Sequence, residues 1–126
     1  MFPIVLIWAS ERQDSLALRL YLHLKNAGFN LFPINPKYKT IVEDQCFSSL
    51  DNLPILPQVV VFMVNPKLTL QILPQVVDLR IKKVWFQPWT FDDEVVAFCE
   101  KNRLDYENEK CLLISPIQVL EEFVKR

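Results

Sequence analysis

Glycine is almost missing from this chain, with Gly28 the single one among 126 residues. That scarcity excludes the glycine-rich loops through which many nucleotide-binding proteins bring backbone N–H groups onto a phosphate. Histidine is equally scarce. His23 sits among the leucines of an apolar helical pattern, with no Ser or Asp at a spacing that suggests a triad. Together with three widely spaced cysteines, Cys46, Cys99 and Cys111, it completes no zinc site of recognisable spacing, so no metal is expected and the thiols are read as reduced. An excess of positive charge is also lacking. Fourteen basic residues stand against fifteen acidic ones, a formal charge of −1, so no basic field attracts nucleic acid or an anionic membrane. No apolar run approaches the roughly 20 residues that span a bilayer, and the amino terminus carries no cationic leader followed by a small-residue cleavage site. A cytoplasmic protein with no membrane partner is the expectation.

What the chain does have is apolar surface. Hydrophobic residues make up 51% of it and the mean hydropathy is +0.14, which suits strands buried on both faces of a parallel sheet. The length predicts one domain covering residues 1–126. The stretch from Pro3 to Ser10 reads as a strand running into a polar turn, followed by a helix with Leu16, Leu20, Leu24 and Ala27 on one stripe and Gly28 as its cap. Phe29 to Ile34 is a second strand. Asn35 to Tyr38 is a loop, because Pro36 forces Asn35 into an extended conformation. Residues 39–53 show no sustained period and read as irregular, with a minor strand near Gln45 to Phe47 and one helical turn over Ser48 to Leu53. Gln58 to Val64 is the clearest strand, with four valines and a Phe. Asn65 and Pro66 start a helix running to about Arg80, and Pro74 inside it predicts a kink or break. Lys83 to Gln87 is the next strand, Thr90 is expected to cap a helix from Phe91 to Asn102, and Leu104 to Glu107 is a weak strand that Lys110 to Ile114 either extends or replaces. Ser115 and Pro116 start a last amphipathic helix. Strands and helices alternate from end to end, which predicts an α/β fold with a mainly parallel five-stranded sheet and helices on both faces.

The strand ending in Ala9-Ser10, the loop Asn35-Pro36-Lys37-Tyr38, the segment Cys46 to Leu50, the strand Val59 to Phe62, the pattern Trp85-Phe86-Gln87 and the triplet Glu109-Lys110-Cys111 occur in an order that resembles the small single-domain CoA-binding proteins. These are stand-alone relatives of the CoA-binding domain of succinyl-CoA synthetase, and the resemblance runs over about residues 4–112. It implies a Rossmann-like, doubly wound fold. Family members usually carry Gly-Ala-Ser at the first turn, where this chain has Trp8-Ala9-Ser10, and a Pro after the cysteine, where this chain has Leu112.

The resemblance implies CoA or a related adenine nucleotide as ligand. A diphosphate is then expected near Ala9, Ser10 and Arg12, where backbone N–H groups precede a helix, or else Ser10 is an ordinary cap and Trp8 occupies the space. Lys37, just past the second strand, is expected on a phosphate with Asn35 beside it, or else it is a solvated loop lysine. Asn65 and Pro66 are expected to wall the adenine, with Val64 just before them among the cofactor-binding residues, or else they serve only as a helix start. Gln87 ends a buried strand and either faces the cleft or holds neighbouring backbone. Trp85, Phe86, Trp89 and Phe91 either stack on a base or belong to the core or an oligomer contact. Cys111 has Lys110 beside it and is either a reactive thiol or an inert one. No catalytic constellation is present, so the reading is a non-catalytic binding module. The alternative is a degenerate member that has lost the nucleotide and serves as a protein-interaction module, self-associating as a homodimer.

Overall fold

The computed structural model describes residues 2–126. In chain order it contains β1 (Pro3–Ile7), α1 (Leu16–Asn26), β2 (Asn30–Ile34), β3 (Thr40–Ile41), β4 (Asp44–Gln45), a single 3-10 turn (Leu50–Asn52), β5 (Val59–Phe62), α2 (Pro66–Asp78), β6 (Lys83–Phe86), α3 (Asp93–Lys101), β7 (Asp105–Glu107) and α4 (Gln118–Lys125). Five strands form one sheet in the order β2-β1-β5-β6-β7, every pair parallel. The chain therefore has the α/β architecture with a parallel five-stranded sheet that its alternating pattern predicts, and it is doubly wound and Rossmann-like as the resemblance implies. From β1 the chain goes first to β2 on one side and later to β5 on the other, so the switch in winding direction falls at β1.

Side chains that alternate along a strand explain why the runs are continuously apolar. Ile4, Leu6, Val59, Val61 and Trp85 face α1 and α4, meeting Leu20, Tyr21, Leu24, Leu120 and Phe123. Val5, Ile7, Val60, Phe62, Val84 and Phe86 face α2 and α3, meeting Leu73, Val76, Val95 and Cys99. Both faces of the sheet are covered, as a parallel sheet requires. Burial pushes the Cys99 thiol up to about 12, which keeps it neutral and unreactive.

Three helices end in the same way although only one has a glycine. After α1, Gly28 has φ +89°, and the N–H groups of Gly28 and Phe29 return to the carbonyls of Lys25 and Leu24. Arg80 (φ +62°) and Arg103 (φ +58°) take the same left-handed position after α2 and α3, with Ile81 donating to Val76 and Leu104 to Cys99. Both arginines are exposed and carry the left-handed penalty that glycine escapes. Arg103→Gly is expected to raise stability by about 1 kcal/mol, read as a higher urea midpoint at unchanged slope. A lower midpoint would show that the arginine side chain contributes more than its backbone costs.

The structure corrects several sequence expectations. Thr90 does not cap α3; its hydroxyl donates to the Gln87 carbonyl (2.8 Å), and Asp92 caps instead by accepting from Val95 N–H at 3.0 Å. α2 runs unbroken from Pro66 to Asp78 with Pro74 on its exposed side. Lys110 to Ile114 is a turn and not a strand, and α4 begins at Gln118 rather than directly after Pro116. Within the stretch read as irregular, Thr40–Ile41 and Asp44–Gln45 form an antiparallel hairpin, and Phe47 bridges Ile34 in parallel. The hairpin escapes a sequence reading because its turn residues, Val42 (φ +48°) and Glu43 (φ +69°), are not those that left-handed turns prefer. Tertiary bonds hold it: Val42 N–H donates to Glu11 Oε2 (3.1 Å), Lys25 Nζ donates to the Val42 carbonyl (3.2 Å), and Asp44 accepts from Lys25 (2.8 Å) and Tyr21. Burial raises the Asp44 carboxyl, but the bonds from Lys25 and Tyr21 and the lysine charge outweigh it and leave the group below its ordinary value.

Candidate functional site

Open parallel sheets bind ligands beyond the carboxyl ends of their strands, at the point where the winding reverses. A cleft of about 480 Å³ lies there, within the range of roughly 300–1,000 Å³ usual for small-molecule sites. Its walls come from the ends of four strands and the start of α1. Trp8 follows β1, Asn35 and Lys37 follow β2, Met63 follows β5, and Trp89 lies beyond β6.

The floor is built by Asn35, which is 3% exposed. Its Nδ2 donates to the Ala9 carbonyl (2.9 Å) and its Oδ1 accepts from Lys37 N–H (3.0 Å). Its own N–H donates to the Phe47 carbonyl at 2.9 Å. One side chain therefore fixes the β1 turn against the lysine loop. The N–H groups of Trp8 (2.7 Å) and Ala9 (3.3 Å) both reach the Ile34 carbonyl, which pins the turn to the end of β2. Trp8 takes φ +69° in doing so, a conformation that an L-residue adopts at a cost.

Ser10 lines the cleft but does not cap α1. Its Oγ accepts from Arg12 N–H (3.0 Å) and lies 3.4 Å from the Tyr38 hydroxyl. The cap is Ser15, whose Oγ accepts from Leu18 N–H at 3.1 Å. The N–H groups of Leu16 and Ala17 lead the helix without intrahelical partners, and both residues line the cleft. Arg12 and Lys37 bring two cations to the same space, and both are exposed. Asp14 opposes them in part, lying 3.3 Å from Arg12 Nε. Two cations, one carboxylate and a helix amino end leave a donor set suited to an anion.

Of the residues singled out in the sequence, Ser10, Arg12, Asn35 and Lys37 meet at the cleft, and Ala9 is buried beneath it as the carbonyl that Asn35 holds. Trp8 and Trp89 line it as well, whereas Val64, Asn65, Gln87 and Cys111 lie off the cleft lining. Val64 is buried and its carbonyl accepts from the Thr69 hydroxyl at 3.4 Å. Asn65 caps α2 through Leu68 N–H at 2.9 Å. Gln87 is fully buried, with Oε1 accepting from Trp85 Nε1 (3.2 Å) and Leu112 N–H (3.0 Å) and Nε2 reaching Cys111 Sγ (3.3 Å). Asp14, Ser15, Tyr38 and Met63 also line the cleft although none is among the site residues expected from the sequence, and Met63 was findable as the first residue past β5. Lys39, two residues beyond Lys37, lines a neighbouring hollow with Tyr38 and Cys46 instead. Among the described residues, no group of three or more His, Cys, Asp or Glu side chains is placed to hold a metal, and no helix is long and apolar enough to cross a membrane.

With this geometry in hand, comparison with solved structures places the fold among similar chains. A conserved hypothetical protein from Pyrococcus furiosus is 32% identical with a TM-score of 0.86, over 90% of this chain and 98% of that one. A hypothetical protein from Pyrococcus horikoshii is 29% identical with a TM-score of 0.82, over 87% and 78%. The dinucleotide forming acetyl-coenzyme A synthetase 1 of Ca. Korarchaeum cryptofilum, solved with phosphate and ADP, shares the fold at 16% identity and a TM-score of 0.73. The match covers 82% of this chain but 25% of that one. No curated protein matches the sequence. The model of a family described as CoA binding domain matches residues 3–116, nearly the whole length, and the chain belongs to that family.

Proposed function

We propose that the protein is a non-catalytic binding module for CoA or a related adenine nucleotide, held in the cleft at the carboxyl end of the sheet. The observation that carries this reading is the convergence of Arg12, Lys37 and the leading amides of α1 on one cleft of about 480 Å³. CoA supplies phosphates, which such donors suit, and the family match supports that ligand over other anions. Lys37 and Arg12 are the groups on phosphate, the Ser10 turn and the Leu16 and Ala17 amides are neutral donors, and Asn35 and Ala9 set their positions. Val64, Asn65 and Gln87 act through the framework, given the protein partners each one has. The three free thiols, none of them paired, suit a reducing cytoplasmic setting.

Titration with CoA tests the reading through a thermal shift and a change in tryptophan emission. Lys37→Ala is expected to weaken CoA binding about tenfold, the loss of one charge-assisted phosphate contact, while leaving the melting temperature of the free protein in place. No shift and no emission change at millimolar CoA overturns the proposal. That result would favour a protein-interaction module, with Leu16 and Trp89 as exposed apolar residues at the cleft's rim.

A further inference from the structure

The cleft is unusually aromatic for a phosphate site. Two of the chain's three tryptophans, Trp8 and Trp89, line it together with Tyr38. Trp89 is 40% exposed there, a large indole that burial in the fold does not account for. Trp8 is the more informative of the two. It is half-buried against the α2 and α3 side of the core, and it holds φ +69° at a turn where glycine would sit without strain. Backbone strain of this kind persists where the surrounding structure enforces it and gathers at functional sites. The strained residue opens onto the cleft and carries the largest aromatic surface available.

We propose that Trp8 and Trp89 form an aromatic wall that receives the heteroaromatic ring of the bound ligand, so that the cleft selects a nucleoside rather than a phosphate alone. The inference rests on the reading of the cleft as a nucleotide site and adds the part of the ligand that the wall reads. Stacking needs only the flat face of the ring, and Arg12 and Lys37 stand at the same cleft for the phosphates that a nucleotide carries. Trp85, fully buried and hydrogen-bonded to the Lys110 carbonyl, stays outside the cleft as a constant background of emission.

Adenosine, which has the ring and no phosphate, is the probe that separates the wall from the cations. Adenosine is expected to quench the cleft tryptophans, and Trp8→Ala to weaken that binding by ~10-fold or more, the loss of one base–aromatic stack, with Trp8→Phe restoring most of it. Trp89→Ala, a change at an exposed residue, is expected to act in the same direction. Trp8→Gly, which removes the ring and releases the strained φ together, is expected to lose adenosine as Trp8→Ala does. No quenching by millimolar adenosine overturns the wall, and so does a Trp8→Gly variant that binds adenosine as well as or better than the natural chain. Adenosine binding with no CoA binding leaves the wall standing and removes the CoA reading. CoA binding that Trp8→Ala leaves unchanged does the reverse.

Discussion

Trp85→Ala is expected to lower stability by about 3–5 kcal/mol, the cost of emptying the volume of a buried indole. Trp85 is fully buried in β6, and its ring meets Phe123 of α4 edge-on, with centroids 5.5 Å apart and planes at 90°. Its Nε1 donates both to Gln87 Oε1 and to the Lys110 carbonyl, each at 3.2 Å. The indole thus joins the sheet to α4 and to the turn after β7. Removing it opens a cavity under Phe123 and leaves the Lys110 carbonyl short of a donor. A domain is held together by roughly 5–15 kcal/mol, so the variant would keep only part of its margin. Urea unfolding followed by far-UV circular dichroism checks the figure, and a loss under about 1 kcal/mol would show that α4 collapses into the gap at little cost. Trp85→Phe separates the two contributions, because it keeps an aromatic edge for Phe123 and loses the hydrogen bonds.

Asn35→Ala should cost about 1–3 kcal/mol of stability through the buried Ala9 carbonyl that loses its donor. The same change frees the Lys37 N–H from its acceptor, so the lysine loop and the Trp8 turn are no longer tied together. A fall in CoA affinity should accompany the fall in stability, although Asn35 needs no contact with the ligand for this. Asn35→Asp is the sharper variant: it keeps an acceptor for Lys37 N–H but places a second oxygen against the Ala9 carbonyl. Unfolding midpoints measured beside CoA titrations at a temperature where the variants are folded provide the check. Midpoints equal to that of the natural chain would mean that the brace holds nothing together.

The parts of the fold legible in the sequence were those with one strong local cause. Val59 to Phe62 and Val84 to Phe86 are apolar on both faces, and only a sheet covered on both sides accommodates that. Asn65 and Pro66 announce α2 because capping and a preset φ act within one turn of chain. What stayed hidden depended on distant partners. The hairpin from Thr40 to Gln45 is specified by Glu11, Tyr21 and Lys25, none of them near it in sequence. Thr90 and Asp92 are both good caps by type, and the choice fell to Asp92 because the Thr90 hydroxyl meets the Gln87 carbonyl. At the cleft, Lys37 was readable from its place after β2. The brace function of Asn35 was not, because a buried amide in a proline-flanked loop reveals its partners only once the β1 turn is folded beside it. Trp8 was visible as a substitution in the first turn, and its left-handed backbone was not.

The outer margins of the sheet have a bearing on how this apolar chain meets its own copies. β2 and β7 are the border strands, and unpaired borders invite a neighbouring molecule to add a strand. Along β2, Pro33 has no N–H to offer, and its carbonyl is already taken by Phe47 N–H at 3.0 Å. β7 is three residues long and reads Asp105-Tyr106-Glu107, with Arg126 fastened to Asp105 at 2.6 Å and to the Tyr106 carbonyl at 3.3 Å. Neither border presents a free, neutral ladder for growth into a shared sheet or a fibril. Where two copies associate, the contact must use helix and loop surfaces, so its strength will follow side-chain substitutions there and not the hydrogen-bonding capacity of the backbone.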